Sequence, residues 1–123
     1  EITDPQEEID LAEVDDTYAY KELQHLEALG LGDASALAQL LEEGELEPGG
    51  ELPVNVSGGS LGQGNLFEAN GLVRLLECVE QLRDEAGERQ VDEAYVAVAQ
   101  SARAVPSTSA AVIVLANDEG AGG

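Results

Sequence analysis

The sequence has few sulfur, aromatic and basic side chains. Among its 123 residues are no methionine or tryptophan, one cysteine, one histidine, one phenylalanine and 5 Lys plus Arg. A single cysteine, Cys78, excludes an internal disulfide, and one histidine leaves no Cys/His cluster for zinc, so we expect no metal site. No apolar run approaches the roughly 20 residues that a membrane helix needs. We therefore expect neither a membrane span nor a signal peptide.

Acidic side chains dominate the composition. There are 26 Asp plus Glu, the formal net charge is -21 at pH 7, and the isoelectric point is about 4.1. Phosphate backbones and anionic head groups repel such a polyanion, which argues against nucleic-acid and membrane partners. A 43% hydrophobic fraction nevertheless predicts a folded domain. The acids lack the D-x-D-x-D-G spacing of a calcium loop.

These acids are spread along the chain instead of forming one tail. Their mutual repulsion weakens when salt shortens the screening length to about 3 Å at 1 M. The pattern therefore predicts a salt-adapted cytoplasmic protein from an extreme halophile, with a halophilic archaeon as the expected source.

Hydrophobic periodicity and turn signals predict one α/β domain over residues 1–123, with packed helices on a mixed sheet of about four strands. Since the chain starts Glu-Ile-Thr and lacks methionine, we expect a piece of a longer protein. Residues 117–123 resemble a disordered tail. The predicted strands are 9–14, 52–56, 94–100 and 110–116, and the predicted helices are 18–29, 34–43 and 70–85.

The middle of the chain contains a glycine loop, residues 57–65, between a short strand and a long helix. Such an arrangement can present backbone N–H groups to an anion. However, the loop lacks the Lys-Ser/Thr ending of a P-loop and the G-x-G-x-x-G register. The alternative is a tight loop whose glycines permit close packing. On the following helix, five apolar residues predict a buried stripe: Leu72, Leu75, Leu76, Val79 and Leu82.

Three segments of this region carry a family resemblance: LPVNVSGG at 52–59, GNLFEANG at 64–71 and QLRDEAGERQV at 81–91. With EALGL at 27–31 upstream, they resemble the C-terminal domain of thiolases. The similarity is greatest to the sterol-carrier-protein type and to thiolase-like lipid-transfer proteins, and the matches span nearly the whole chain in the family's order.

This resemblance implies half of an enzyme that exchanges acyl groups between coenzyme A thioesters, with acyl-CoA as substrate and no other cofactor. The nucleophilic cysteine would belong to an N-terminal half that is absent here, so the domain alone is expected to be inactive. The expected partners are that N-terminal half, a second copy in a homodimer, and a small zinc-ribbon and OB-fold protein. The alternatives are a degenerate scaffold or partner subunit, and a retro-aldolase acting on acyl-CoA.

The same resemblance assigns the candidate site. Asn55 and Asn65 take catalytic positions, but Asn65 stands where the family has the histidine of its G-H-P motif. An asparagine amide can donate a hydrogen bond yet cannot accept a proton at neutral pH. Asp15 corresponds to the first residue of the Asn-Glu-Ala-Phe or His-Asp-Cys-Phe element, and Gln100 to the second base. The expected substrate-binding residues are Ser57, Gly58, Gly59 and Gly64.

Other reactive side chains receive structural interpretations. His25 lies mid-helix, away from the family motif, and is expected at the surface or an interface. Cys78 is expected to be buried as a small hydrophobe. The tyrosines 18, 20 and 95 are expected to pack in the core, although a phenolic acid would suit the retro-aldolase alternative.

The acidic surface predicts salt-dependent stability. Because added salt screens repulsion among the acids, the melting temperature should rise when potassium chloride increases from low to multimolar concentration. Thermal melts followed by circular dichroism would measure this. A melting temperature that falls as salt is added would contradict salt adaptation.

Overall fold

The structure is a computed structural model that describes residues 1–102 and 109–122. The described parts form an α/β fold with a three-stranded mixed sheet in the order β1-β2-β3. Strand β1 pairs parallel with β2, and β2 pairs antiparallel with β3. The elements are α1 (Pro5–Glu8), β1 (Leu11–Glu13), α2 (Ala19–Ala28), α3 (Ala34–Glu43), α4 (Gly59–Gln63), α5 (Asn70–Leu82), β2 (Val96–Ala102), β3 (Ala110–Ala116) and α6 (Asp118–Ala121), with 3-10 turns at Phe67–Ala69 and Gly87–Arg89.

The predicted fold class is confirmed, with three strands instead of about four. The segment 52–56 makes only one isolated bridge, Val54 to Ala12. Pro53 has no N–H for a ladder, and the N–H of Val54 donates to Leu46 at 3.0 Å instead. Asn55 then turns the chain away with a φ of 52°.

Two apolar clusters lie on opposite faces of the sheet. Consecutive strand residues alternate between them: Ala12 belongs to one cluster and Leu11 to the other. The first cluster includes Leu26 of α2 and Leu37 of α3, whereas the second includes Cys78 of α5. The sheet is therefore covered by α2 and α3 on one face and by α5 on the other.

Helix ends follow their local signals where the capping side chains are free. Helix α3 has the predicted bounds, with Asp33 accepting hydrogen bonds from the N–H groups of Ser35 and Ala36 and with Gly44 in the left-handed conformation. Helix α2 instead begins after Tyr18, which makes no side-chain cap. The acids that precede α2, Asp15 and Asp16, bind elsewhere, as described below.

The predicted apolar stripe of α5 is wrong in part. Leu72 and Leu76 are 69% and 56% exposed, whereas the face turned to the sheet is largely polar. The helix is rotated so that its polar groups meet the polar end of β1. The buried residues of α5 are Arg74, Glu77, Cys78 and Gln81.

Strand β3 has the predicted bounds, but its apolar residues are largely exposed. It lies at the sheet edge, and Val112, Ile113 and Val114 remain exposed. Residues 118–121, within the expected tail, form α6, whose first turn is capped by Asn117. Within the described residues, no helix is long and apolar enough to cross a membrane.

Candidate active site

Asn55 fixes the segment before the glycine loop to the end of β1. Its Oδ1 accepts a hydrogen bond from the N–H of Val14 at 2.9 Å, and its Nδ2 donates to Oε2 of Glu22 at 3.2 Å. Both ends of the amide are therefore engaged within the domain. Burial raises the pKa of Glu22, an effect that the Asn55 hydrogen bond opposes and the nearby Asp16 charge reinforces.

Glu13 holds the loop itself. Glu13 lies in the predicted strand 9–14, and all three residues of β1 are buried. The Glu13 carboxylate accepts from the N–H of Ser57 at 3.0 Å and from its Oγ at 2.6 Å. Burial raises the pKa of Glu13 to about 7, although these two hydrogen bonds lower it in part. A buried acid thus anchors the N-x-S-G-G element.

Asp15 begins the segment that corresponds to the family's Asn-Glu-Ala-Phe or His-Asp-Cys-Phe element. Its Oδ1 accepts from Thr17 N–H at 3.0 Å and Thr17 Oγ1 at 2.7 Å, and its own N–H donates to Gln100 Oε1 at 2.9 Å. Burial tends to raise the pKa of Asp15, but the Thr17 hydrogen bonds and the Arg74 and His25 charges outweigh it and lower that pKa. Gln100, the residue at the second-base position, therefore supports the backbone of this element.

His25 is closer to the site than the sequence suggested. Its Nδ1 lies 2.9 Å from the carbonyl oxygen of Asp15. Because a carbonyl only accepts hydrogen bonds, Nδ1 carries a proton in this contact, and a neutral ring then has its lone pair on Nε2. Nothing in the sequence motif indicated this contact, since it arises from the packing of α2 beside the end of β1.

Asp16 and the glycine loop fit together closely. The Asp16 carboxylate accepts from the N–H of Ser60 at 2.9 and 3.2 Å. Gly59 is buried with a φ of 58°, and a Cβ at that position would collide with Oδ2 of Asp16. Here the glycine is required for close approach, the explanation left open by the sequence.

One side-chain hydrogen bond joins Asn70 to Asn65 at the end of the glycine loop. Asn65 Oδ1 accepts from Asn70 Nδ2 at 2.7 Å and from Phe67 N–H at 2.9 Å, while Asn70 Oδ1 accepts from Leu66 N–H at 2.7 Å. Asn65 is exposed. The residue at the histidine position thus organises the turn before α5.

A small cavity of about 10 Å³ lies between the glycine loop and α5. Asn70, which binds Asn65, lines it together with Ser57, Ser60 and Arg74. Gly59 and Gly64 also line it, whereas Gly58 is exposed at the turn. Of the site residues expected from the family motif, Ser57, Gly59 and Gly64 line this cavity, whereas Asn55 and Asn65 do not. Their roles in binding or catalysis stay predictions.

Other candidate groups divide clearly by environment. Cys78 is buried as expected, and burial, with the charges of Glu13 and Glu77, raises the pKa of its thiol to about 12. Tyr18 and Tyr20 are exposed, and their rings stack with centroids 6.0 Å apart. The expectation that they pack in the core is therefore wrong. Tyr95 packs partly buried against the first cluster. Within the described residues, no group of three or more His, Cys, Asp or Glu could hold a metal ion.

A family profile described as "Thiolase C-terminal domain-like" matches residues 4–117. The chain belongs to this family. It is 41% identical over 91 residues to Sterol carrier protein 2 from Homo sapiens, covering 74% of the chain and 17% of the relative. It is 34% identical over 103 residues to Acetyl-CoA acetyltransferase from Methanothermobacter thermautotrophicus, covering 84% of the chain and 27% of the relative.

A solved structure supports the same assignment for this thiolase C-terminal domain-like chain. The Ltp2-ChsH2(DUF35) aldolase matches with a TM-score of 0.78 and 26% identity, over 95% of the chain and 29% of that structure's chain. The chain thus spans less than a third of the length of these relatives.

The Glu13 contact predicts a change in the pH dependence of stability. The folded pKa of about 7 exceeds the ordinary value of 4.5, so folding favours the protonated acid. The contribution of Glu13 to the free energy of unfolding is present below about pH 4.5 and is lost as pH rises through 7. The difference is roughly 3 kcal/mol. Glu13→Gln removes this titration and should flatten the decline in unfolding free energy between pH 5 and 8.

Urea unfolding at fixed high salt would measure this slope. Glu42→Gln, at an exposed position of α3, removes the same formal charge and is the matched control. Equal slopes for Glu13→Gln, Glu42→Gln and the unaltered protein would contradict the assignment of this titration to Glu13.

Proposed function

We propose that this chain is the C-terminal half of a thiolase-like acyl-CoA acyltransferase and has no such activity alone. The observation that carries the proposal is the anchored N-x-S-G-G element. Glu13 accepts hydrogen bonds from Ser57, and Asp16 accepts one from the N–H of Ser60, so the glycine loop is held at the end of β1. A fixed loop suits thioester binding because hydrogen-bond donors that are held in place stabilise the negative charge that develops on a thioester oxygen.

The single cysteine of the chain is not placed to act as the attacking thiolate. The Cys78 thiol is buried in the second apolar cluster, and its pKa of about 12 keeps it protonated. A second thiolase half would therefore provide the attacking thiolate. This division agrees with the fraction of the acetyl-CoA acetyltransferase relative that the chain covers, 27%.

The distribution of acids along the sequence favours an interface that includes acid-poor segments. Residues 52–76 contain one acid, Glu68, and residues 94–117 contain none. Exposed apolar side chains lie in these same segments, including Leu61 at 92% and Phe67 at 82%. A large apolar surface that acids avoid is typical of a protein interface. We propose that the N-terminal thiolase half covers it.

The proposal extends to the partners, the substrate and the cellular compartment of the complete protein. Homodimerisation and a zinc-ribbon and OB-fold partner would follow the thiolase-like organisation, and the neighbour's name pairs its aldolase with a DUF35 protein. Acyl-CoA would be the substrate, with no additional cofactor. The high acidity fits a salt-rich cytoplasm.

The acyltransferase proposal predicts how position 65 behaves. In a complete protein containing this domain and an N-terminal half, Asn65→His would supply a proton acceptor at the G-H-P position. Thiolysis of acetoacetyl-CoA should then rise by about 100-fold, since a placed general base contributes roughly 10²–10⁴. Loss of enolate absorbance would follow the reaction. Gln39→His on α3 adds a histidine away from the site and should change nothing. Absence of thiolysis in both forms would count against the acyltransferase.

A retro-aldolase is the second candidate, supported by Asn65 and by the aldolase neighbour. In this reaction a base removes the β-hydroxyl proton of a 3-hydroxyacyl-CoA, the Cα–Cβ bond breaks to leave a carbonyl product, and the enolate takes up a proton. The complete protein should then release that carbonyl compound from a 3-hydroxyacyl-CoA without free coenzyme A, and Asn65→His should not accelerate it. A coupled carbonyl-reduction assay would measure it. Inactivity on both substrates would favour the scaffold alternative.

A further inference from the structure

Arg74 connects three parts of the candidate site from a buried position. It lies on α5 and is 4% exposed. Its Nε donates to the carbonyl oxygen of Val14 at 3.0 Å, and its Nη2 donates to Ser60 Oγ at 3.3 Å. One side chain therefore contacts both the end of β1 and the start of α4. The sequence signals did not identify it, because a lone arginine within an apolar helical repeat resembles a surface residue.

The guanidinium also faces two nearly buried carboxylates. Its Nη2 lies 3.8 Å from Asp15 Oδ1 and 3.5 Å from Asp16 Oδ1. Two adjacent acids in a poorly solvated site repel each other and need a compensating charge. Arginine provides a permanent one and can engage several acceptors at once through its planar group. In a chain with 5 basic residues, this one is placed at the site motif.

The contact with Asp16 extends to the glycine loop. The Asp16 carboxylate accepts a hydrogen bond from the N–H of Ser60. It also occupies the space that a Cβ at Gly59 would need. Moving Asp16 would therefore release the start of α4. Arg74 contacts Ser60 as well, so the arginine, the acid and the loop form a closed set of contacts.

We propose that Arg74 is a positioning residue, which holds Asp16 against the glycine loop and so fixes the backbone of residues 58–60 for substrate. The effect on loop order follows from the contacts alone. The effect on turnover rests on the proposed acyl-CoA chemistry. Nη1 of Arg74 has no hydrogen-bond partner among the described residues, so the restraint acts through Nε and Nη2.

Amide hydrogen exchange followed by NMR in the isolated chain would test the loop effect. Arg74→Met should accelerate exchange at Ser60 by about 10-fold or more beyond any change at Val98 in β2. Arg74→Lys retains the charge without the planar fork and should give a smaller acceleration. Arg83→Met is the control, because Arg83 is exposed and pairs only with Glu85 among the contacts of the described residues.

The double substitution separates positioning from general destabilisation. In an Asp16→Asn background, the additional acceleration caused by Arg74→Met should become smaller, since the charge that Arg74 restrains is gone and only its direct contact with Ser60 remains. If Arg74→Met does not fold, Arg74→Lys is compared in the same two backgrounds. Uniform acceleration at Ser60 and Val98, or an equal effect of the Arg74 substitution in both backgrounds, would overturn the proposal.

Activity supplies a separate readout. In the complete protein, Arg74→Lys should lower kcat by about 10- to 100-fold while KM changes less than about threefold, because small misplacements of a binding loop reduce reaction rates strongly. An unchanged kcat in an active protein would overturn the catalytic part. A complete protein with no acyl-CoA chemistry would defeat the proposed function, and the exchange measurements would still decide the role of Arg74.

Discussion

The acids that close β1 are the constraint on which the rest of the site depends. Glu13 binds Ser57, Asp15 binds Thr17, and Asp16 binds Ser60. Buried carboxylates are unfavourable without hydrogen bonds and opposite charge. Their partners must therefore come to them, which explains why the glycine loop, the start of α2 and the buried face of α5 converge at this strand end. The polar face of α5 is a consequence of that requirement.

Local signals predicted the parts of the fold that depend on neighbours in sequence. Helix α3 has a capping aspartate and a terminal glycine, and its bounds agree with the prediction. The apolar run 110–116 likewise gave the bounds of β3. Burial depends on tertiary neighbours and was predicted less well. Strand β3 lies at an edge, and Leu72 and Leu76 of α5 turn outward because its polar residues are required at the site.

The candidate site shows the same division. The motif 55–59 was recognisable because its residue types and spacing are local, and its residues do meet the end of β1. Glu13 and Arg74 were missed because each lies in an alternating or helical pattern in which a charged residue ordinarily faces solvent. Their roles arise from contacts between residues 44 and 60 positions apart in sequence. Glu13 follows Leu11 by two residues and so shares its strand face. An acid on an apolar strand face is the one local signal that could have indicated Glu13.

Two acids within the family motif, Asp15 and Glu68, have different explanations. Glu68 is exposed on a 3-10 turn, where its charge is solvated. Asp15 is nearly buried, and its carboxylate is satisfied by Thr17 and by the charge of Arg74. Solvation cannot account for an acid that solvent hardly reaches. Asp15 therefore belongs to the internal charge balance of the site, and the acidity of this chain has a structural component distinct from its surface.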